Sequence, residues 1–420
     1  MQNKWPILKG NLALQLCFVA LLLYTVLLPF QPFFPPITSG IVAFWLVYLL
    51  SFQKERLALL LKNQYAQLWF FYYLILTLGL FYTSNPDEAA IDLVLKISLV
   101  LWPLGFASWP EPIIQYKSAI LSVFAWSTVA SAFALTVIGV SRWLEADADG
   151  SQLYQFMSIW DWLPNHYMAM YASFSVFIFI HLYLQKQHSI WISLLGISVL
   201  IVLIALTSVR IQFAALPLGG LFFLFFQKTS GPLKKRLALL SALGFCAVVG
   251  IAVLVPSSRS RLAETFDELR SINGMVESKQ TNHRVYLWRY GADVVKENFW
   301  IGTGSGAAND ALNEKLKDCP AKFWNGKRHY YLSEYQYNYH NAFLQHFATH
   351  GIIGFLIIAS IFVWPFFYRQ HNIGGLGAAF LAISAVSFFT ESMLERQAGV
   401  LFFGFFYALL FVPENNINGK

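Results

Sequence analysis

His340 stands where a long polar stretch gives way to an apolar run, in YNYHNAFLQHF. Imidazole has an unperturbed pKa of about 6.5, so a ring placed there could take a proton near neutral pH. A helix beginning just after it would disfavour imidazolium and would welcome an anion such as phosphate. The plain alternative is a packed structural histidine. Arg210 interrupts two apolar runs in LTSVRIQFAAL. An arginine that ends a helix and snorkels is the bland account. Arg284 and Arg289 lie five apart in TNHRVYLWRYGADV, so on a helix they point to different sides. Either could be a solvated charge, and spacing does not rank them. Guanidinium groups grip phosphate through paired hydrogen bonds, which is the chemistry that three such arginines near one base would offer.

Other residues offer less. His346 and His350 share a helix face and could pair on a metal, but no third ligand is evident, and polar contacts between helices explain them as well. Lys96 follows Asp92 by four, which suits either an ion pair on one helix face or a lipid-phosphate contact. The glycines of IGTGSGAAND follow a helix and not a strand, so they do not read as a dinucleotide site. No Walker A sequence is present. Asp147, Asp149 and Asp161 are spread along a short loop with no metal-ligand pattern. The expectation is a site with no metal and no cofactor.

The elements that position these residues are membrane spans. The chain has 420 residues, 57% hydrophobic and 12% charged, against about 25% charged in soluble domains. The 39 Phe and 14 Trp suit lipid contact and interfacial belts. The net charge of +7 does not imply nucleic-acid binding, because the charges sit in loops between apolar blocks. A span needs about 20 apolar residues. That length predicts helices at 11–30, 37–52, 66–82, 91–108, 117–140, 164–184, 190–207, 211–227, 237–255, 341–367, 374–390 and 397–413. The first block, flanked by Lys4 and Lys9 with no cleavage site, reads as an uncleaved helix. Cys17 and Cys246 lie in apolar runs and Cys319 does not, so no disulfide framework is expected.

Alternate loops differ in charge. One set holds Lys4, Lys9, Lys54, Arg56, Lys62, Lys117, Lys186, Lys228, Lys234, Lys235, Arg236, Arg369 and Lys420. The other short loops hold Arg142, Arg210 and Arg396 against acids such as Asp87, Glu88 and Glu145. Basic residues stay cytoplasmic, so both termini are expected inside. The fold class expected is an all-α polytopic membrane protein of about twelve spans, with a large, partly helical outer loop between helices nine and ten. Residues 1–255 form spans one to nine, 256–340 the loop domain, and 341–420 spans ten to twelve with a short tail.

This combination resembles the O-antigen ligase family, part of a superfamily with O-antigen polymerases and protein O-oligosaccharyltransferases. The family pattern is His, then Asn, Ser or Gln, nine residues, Gly, two residues, and Gly, Thr or Tyr. Here it stands as His340, Asn341, nine residues, Gly351, two residues, Gly354. The family's arginine in the short loop before the large one corresponds to Arg210. Its loop arginine corresponds to Arg284, with Arg289 as competitor. The resemblance implies a metal-independent glycosyltransferase at the periplasmic face of a Gram-negative inner membrane. The donor would be O-antigen on undecaprenyl pyrophosphate, and the acceptor the lipid A-core oligosaccharide. His340 would be the catalytic base. Arg210, Arg284, Arg289 and Asn341 would bind substrate. Membrane lipids are the other implied partners, and nucleic acid is not. Tyr335, Tyr337, Tyr339 and Trp324 could stack on sugars or form an aromatic belt. A polymerase or an O-oligosaccharyltransferase is the nearer alternative; a transporter or flippase is the distant one, weakened by the absence of related halves.

Overall fold

The computed structural model describes residues 12–33, 63–107, 116–157, 163–228, 283–324, 329–368 and 373–412, with isolated positions at 40–41, 231, 250, 253–254, 256, 258–260 and 263. Apart from such isolated positions, the expected spans at 37–52 and 237–255 and the run RLAETFDELR lie outside the described residues. The helices used below are α1 (Leu12–Leu27), α2 (Gln64–Leu78), α3 (Pro86–Lys96), α4 (Ser98–Ala107), α5 (Lys117–Glu145), α6 (Asn165–Leu184), α7 (Ile190–Thr207), α8 (Gln212–Phe226), α9 (His283–Glu297), α10 (Ala308–Lys315), α11 (Ala342–Phe367), α12 (Gly374–Thr390) and α13 (Gln397–Phe411). Among the described residues, five helical stretches are long and apolar enough to cross a membrane: Pro86–Ala107, Lys117–Glu145, Asn165–Leu184, Ile190–Thr207 and Ala342–Phe367. The protein is a helical membrane protein.

The apolar blocks become these helices because nothing in hydrocarbon can pair a backbone amide except the chain itself. The span expected at 91–108 begins earlier, at Pro86. Asn85 caps it by accepting from the Glu88 amide, Pro86 starts the first turn, and Asp87 and Glu88 face the positive end of the helix dipole. Hydrophobicity alone misses such a start, because its first turn is acidic. The bundle is apolar on both its inside and its outside. Val19, Phe133, Leu195, Leu221 and Phe225 are exposed on α1, α5, α7 and α8, the surface that lipid covers. α6 and α13 lie at the centre and are buried almost all round. Aromatic rings fill the space between them: Phe402 stacks on Tyr171 at 4.3 Å between centroids, and Phe403 on Phe380 at 5.4 Å.

α8 and α12 pack antiparallel. At one end the Gln212 side-chain amide donates to Ser387 Oγ (3.0 Å). At the other, a Cβ on Gly375 would lie 2.5 Å from Gln227 Oε1. The start of α8 and the finish of α12 therefore share one end of the bundle, which matters for Arg210.

At that end sits a small second core. Leu287 and Val294 of α9, Leu312 of α10, and Phe323, Tyr330, Leu332 and Tyr339 pack together against Ala348 of α11. The described chain is nearly all helical, as expected, and this loop adds one small hairpin. Two short antiparallel strands, β1 (Lys322–Trp324) and β2 (His329–Tyr331), pair Phe323 with Tyr330. Aromatic residues are enriched in strands, where they pack across the pair. Tyr339 is corrected: it is fully buried, donates its hydroxyl to the Ala308 carbonyl (2.9 Å) and belongs to the core, not to a sugar platform.

α11 was expected to run unbroken from 341 to 367. It kinks at His350 (φ −127°) and Gly351 (φ +62°). The kink frees carbonyls of the first half, and the glycine-rich loop takes them: the Thr303 amide donates to Ala348 O and the Gly304 amide to Thr349 O (both 2.9 Å), while the Ile352 amide donates to Phe299 O (2.8 Å). These three bonds give partners to backbone groups that a buried kink would otherwise leave unpaired. The approach is so close that a Cβ on Gly351 would lie 2.3 Å from the Trp300 backbone. Gly351→Ala therefore meets both a left-handed φ and a backbone clash. It is expected to cost about 1–3 kcal/mol, seen as a lower thermal unfolding midpoint of the detergent-solubilised protein. An unchanged midpoint would contradict this account of the kink.

Candidate functional site

His340 reaches its place through an unusual backbone. Its φ is +43°, in the left-handed region, which side chains other than Gly, Asn and Asp seldom occupy. Two contacts hold it there. Its amide donates to Asn338 Oδ1 (2.9 Å), an Asx-type turn, and its carbonyl accepts from Trp288 Nε1 of α9 (3.4 Å). Asn341 then returns to an extended conformation and caps α11, accepting from the Leu344 amide (3.0 Å). The Asn341 amide donates to Ser392 Oγ (3.3 Å). The start of α11 is thus tied to the segment 391–396, which joins α12 to α13.

That tie sets the histidine ring against a carboxylate. His340 Nδ1 is 2.7 Å from Glu391 Oε1. The other carboxylate oxygen, Glu391 Oε2, accepts from Arg284 Nη2 at 3.1 Å. The Glu391 side chain is only 10% exposed, against 30% for His340 and 38% for Arg284. A buried carboxylate is thus shared between two cationic or potentially cationic groups that remain reachable. Burial pushes the Glu391 carboxyl up, but the contact with His340 and the charges of His166, His340 and Arg284 outweigh it and hold the group at about 2. His166, at the start of α6, lies in the electrostatic field of Glu391, Arg284, His340 and Arg396. The four groups form one charged cluster around Glu391.

The arginines are now distinguishable by place. Arg284 is on Glu391. Arg289, on the same helix, is exposed and interacts electrostatically with Asp293. Arg210 lies in the turn between α7 and α8, after Ser208 with its positive φ of +50°. Gln212, two residues on, bonds Ser387 at the finish of α12, so Arg210 stands at the same end of the bundle as Glu391. Asn341 is largely buried and spends its side chain on the helix cap.

Lys96 is sealed inside by two carboxylates, Asp92 Oδ2 (3.1 Å) and Glu395 Oε1 (2.8 Å), with 3% of its side chain exposed. The ion-pair reading holds for it, and lipid contact is excluded. Its bond to Glu395 also pins the segment that carries Glu391. His346 hydrogen-bonds Tyr72 OH through Nε2 (2.8 Å) and the Ala342 carbonyl through Nδ1 (2.6 Å). A carbonyl can only accept, so Nδ1 carries the proton and Nε2 accepts from the tyrosine. This is a polar contact between α2 and α11. Among the described residues, no three His, Cys, Asp or Glu side chains gather as a metal site would need.

Beside the cluster is a polar cavity of about 350 Å³. Asn309, Asn338, Gln345, Glu88 and Arg396 are among its lining residues. Gln345 links the two: its amide donates to Asn309 Oδ1 (3.0 Å) and its oxygen accepts from the Tyr339 amide (3.3 Å). Arg396 lines the cavity and also faces the charged cluster.

Glu391 and His166 were missed by the sequence reading. Each stands at the end of an apolar helix, and the signal available was that a titratable group at such an end is costly unless used. Nothing local to either residue shows that it meets His340, which lies 51 positions from Glu391 in the chain.

The first half of α11, Arg210, Arg284, Arg289 and His340 fall inside one stretch with known similarity. Residues 174–359 match the O-antigen ligase family. An uncharacterized protein of Haemophilus influenzae is 23% identical over 251 residues, which is 55% of this chain and 59% of that protein. The match spans less than two thirds of that relative's length.

Proposed function

We propose, on the premise that residues 174–359 are of the O-antigen ligase and polymerase type, that this enzyme transfers O-antigen from undecaprenyl pyrophosphate to the lipid A-core oligosaccharide. The transfer would take place at the periplasmic face of a Gram-negative inner membrane, in the twelve-span, three-part arrangement expected from the sequence, with both termini cytoplasmic. The observation that carries the reading is the single carboxylate of Glu391, which gathers His340 and Arg284 from separate elements.

In this reading Glu391 keeps the proton of the imidazole on Nδ1 and leaves the Nε2 lone pair free. Nε2 takes the proton of an acceptor sugar hydroxyl. The oxygen attacks the anomeric carbon of the donor from the face opposite the diphosphate. The bond from that carbon to the phosphate oxygen breaks, undecaprenyl pyrophosphate leaves with the bonding pair, and the configuration inverts. Arg284 and Arg210 hold the diphosphate and stabilise the charge that grows on it. An arginine is permanently charged, so no divalent ion and no cofactor is assigned. Glu391 also stabilises the imidazolium that forms as the proton moves. Arg289, on another side of α9, is given no contact with the diphosphate. The amide-lined cavity beside Arg396 takes the acceptor sugar, whose hydroxyls the amides of Asn309, Asn338 and Gln345 can both donate to and accept from.

The test is expression in a strain that lacks its own ligase, followed by a gel of the lipopolysaccharide. The expected result is an O-antigen ladder attached to lipid A-core. A ladder that lengthens only on undecaprenyl pyrophosphate would make the protein a polymerase and overturn the acceptor assignment. With purified protein and both lipid substrates, full transfer in excess chelator is expected. Activity that vanishes and returns with one divalent ion would contradict the role given to the arginines.

A further inference from the structure

The opposite end of the bundle holds a second polar cavity, of about 320 Å³, built from the ends of several helices. Its charge is one-sided. Lys117, Lys228 and His181 line it, and among the described residues no carboxylate does. Lys117 is the first residue of α5, with its Nζ 3.5 Å from the Leu410 carbonyl of α13. Lys228 follows the end of α8 and is exposed. His181 lies in the last turn of α6, and its Nδ1 is buried without a hydrogen-bond partner. The two lysines and the imidazole thus come from three separate elements.

The fourth wall is the start of α12. Gly374, Gly375, Leu376 and Gly377 line the cavity, and no side chain caps this helix. The first amides of a helix have no partner within it and carry the positive end of the dipole. Gly375 and Gly377 pack against Gln227 and Phe411, but the space beside Gly374 is open, so an incoming group can approach the backbone there. Two lysines and an uncapped helix start define a place for an oxyanion with several acceptor oxygens.

Its depth indicates what carries that oxyanion. α12 has 17 residues, which at 1.5 Å each gives about 25 Å. It runs from this cavity to Glu391, whereas the hydrocarbon core of a bilayer is about 30 Å thick. Two polar sites separated by about that distance lie at the two headgroup levels. Basic pockets between helices at the cytoplasmic surface are suited to anionic headgroups.

We propose that this cavity binds the phosphate of an anionic phospholipid in the leaflet opposite the transfer site. The site is independent of the reaction assigned above. It ties the start of α12, the helix that ends at Glu391, to the membrane.

Native mass spectrometry of the purified full-length protein tests this. The protein is titrated with phosphatidylglycerol, with phosphatidylcholine and, separately, with inorganic phosphate. Wild type is expected to retain one phosphatidylglycerol in preference to phosphatidylcholine. The Lys117→Gln/Lys228→Gln variant is expected to lose that preference by about thirtyfold, as two removed contacts near 1 kcal/mol each imply. The Lys117→Arg/Lys228→Arg variant should keep it, and the single Lys228→Gln change at an exposed position should show part of the loss. Inorganic phosphate bound with the same dependence on the lysines, and no preference among lipids, would uphold an oxyanion site but move its source to the solution. Equal phosphatidylglycerol retention by wild type and both Gln variants would overturn the site.

Discussion

His340→Ala should abolish attachment of O-antigen to lipid A-core while leaving the protein folded in the membrane. General-base catalysis is worth about 10²–10⁴ in rate, so loss of the ring should reduce the ladder to background. The fold should survive because His340 is 30% exposed and contributes its backbone, not its ring, to the turn. Alanine at φ +43° carries a strain penalty of about 1 kcal/mol, so a second variant is informative. His340→Asn tolerates the left-handed conformation and still lacks a base. Both variants are expected at wild-type levels in membranes, both without a ladder. A ladder retained in either would remove His340 from the role of base, whatever the acceptor proves to be.

Glu391→Gln is expected to be nearly as severe. The carboxylate offers two acceptor oxygens, one to His340 and one to Arg284. A glutamine replaces one with an NH₂ donor, which must then oppose one of two donors. Either the ring loses its orientation or the arginine loses its anchor. When the carboxylate that orients a catalytic histidine is replaced by its amide, as in the serine-protease triad, the rate falls by about 10⁴. A loss of about 10²–10⁴ in transfer is expected here, read with purified protein and both lipid substrates. The stability of this variant should also lose an acid dependence. Glu391 is held at about 2 in the folded protein, below the value of about 4.3 for an unfolded glutamate. A depressed carboxyl stabilises above the unfolded value, and that contribution is lost as pH falls from about 4.3 through about 2. Thermal unfolding followed between these limits should show the decline in wild type and less of it in Glu391→Gln. Parallel curves would mean that the carboxylate is not held by His340 and Arg284 in solution.

The link from Lys96 to Glu395 bears on the same segment. It explains why a lysine sits inside a span: it bridges Asp92 and Glu395 and holds the 3₁₀ turn Met393–Glu395, which follows Glu391 at the end of α12. The glycine-rich loop 301–307 has an equally structural reason. Its glycines let the chain lie against the kink in α11 and against α2, where Ser305 Oγ donates to the Leu76 carbonyl (2.6 Å).

Much of the architecture was legible in local pattern. Blocks of apolar residues at the length of a bilayer placed the described spans to within a few residues, because burial in hydrocarbon depends on composition over a window and not on particular partners. The motif His340-Asn341 with Gly351 and Gly354 was equally visible. Its physical content came only with the fold: Asn341 caps α11, and Gly351 allows the kink on which the loop docks. The choice between Arg284 and Arg289 could not be made from spacing, since both lie on α9 and the answer depends on which side of that helix meets α12. Glu391, His166 and the hairpin of β1 and β2 were decided by tertiary structure alone. A carboxylate becomes an orienting group only when a ring from a distant element comes within 2.7 Å. Periodicity reports which residues enter the membrane; which charges meet at its surface is set by how the helix ends are brought together.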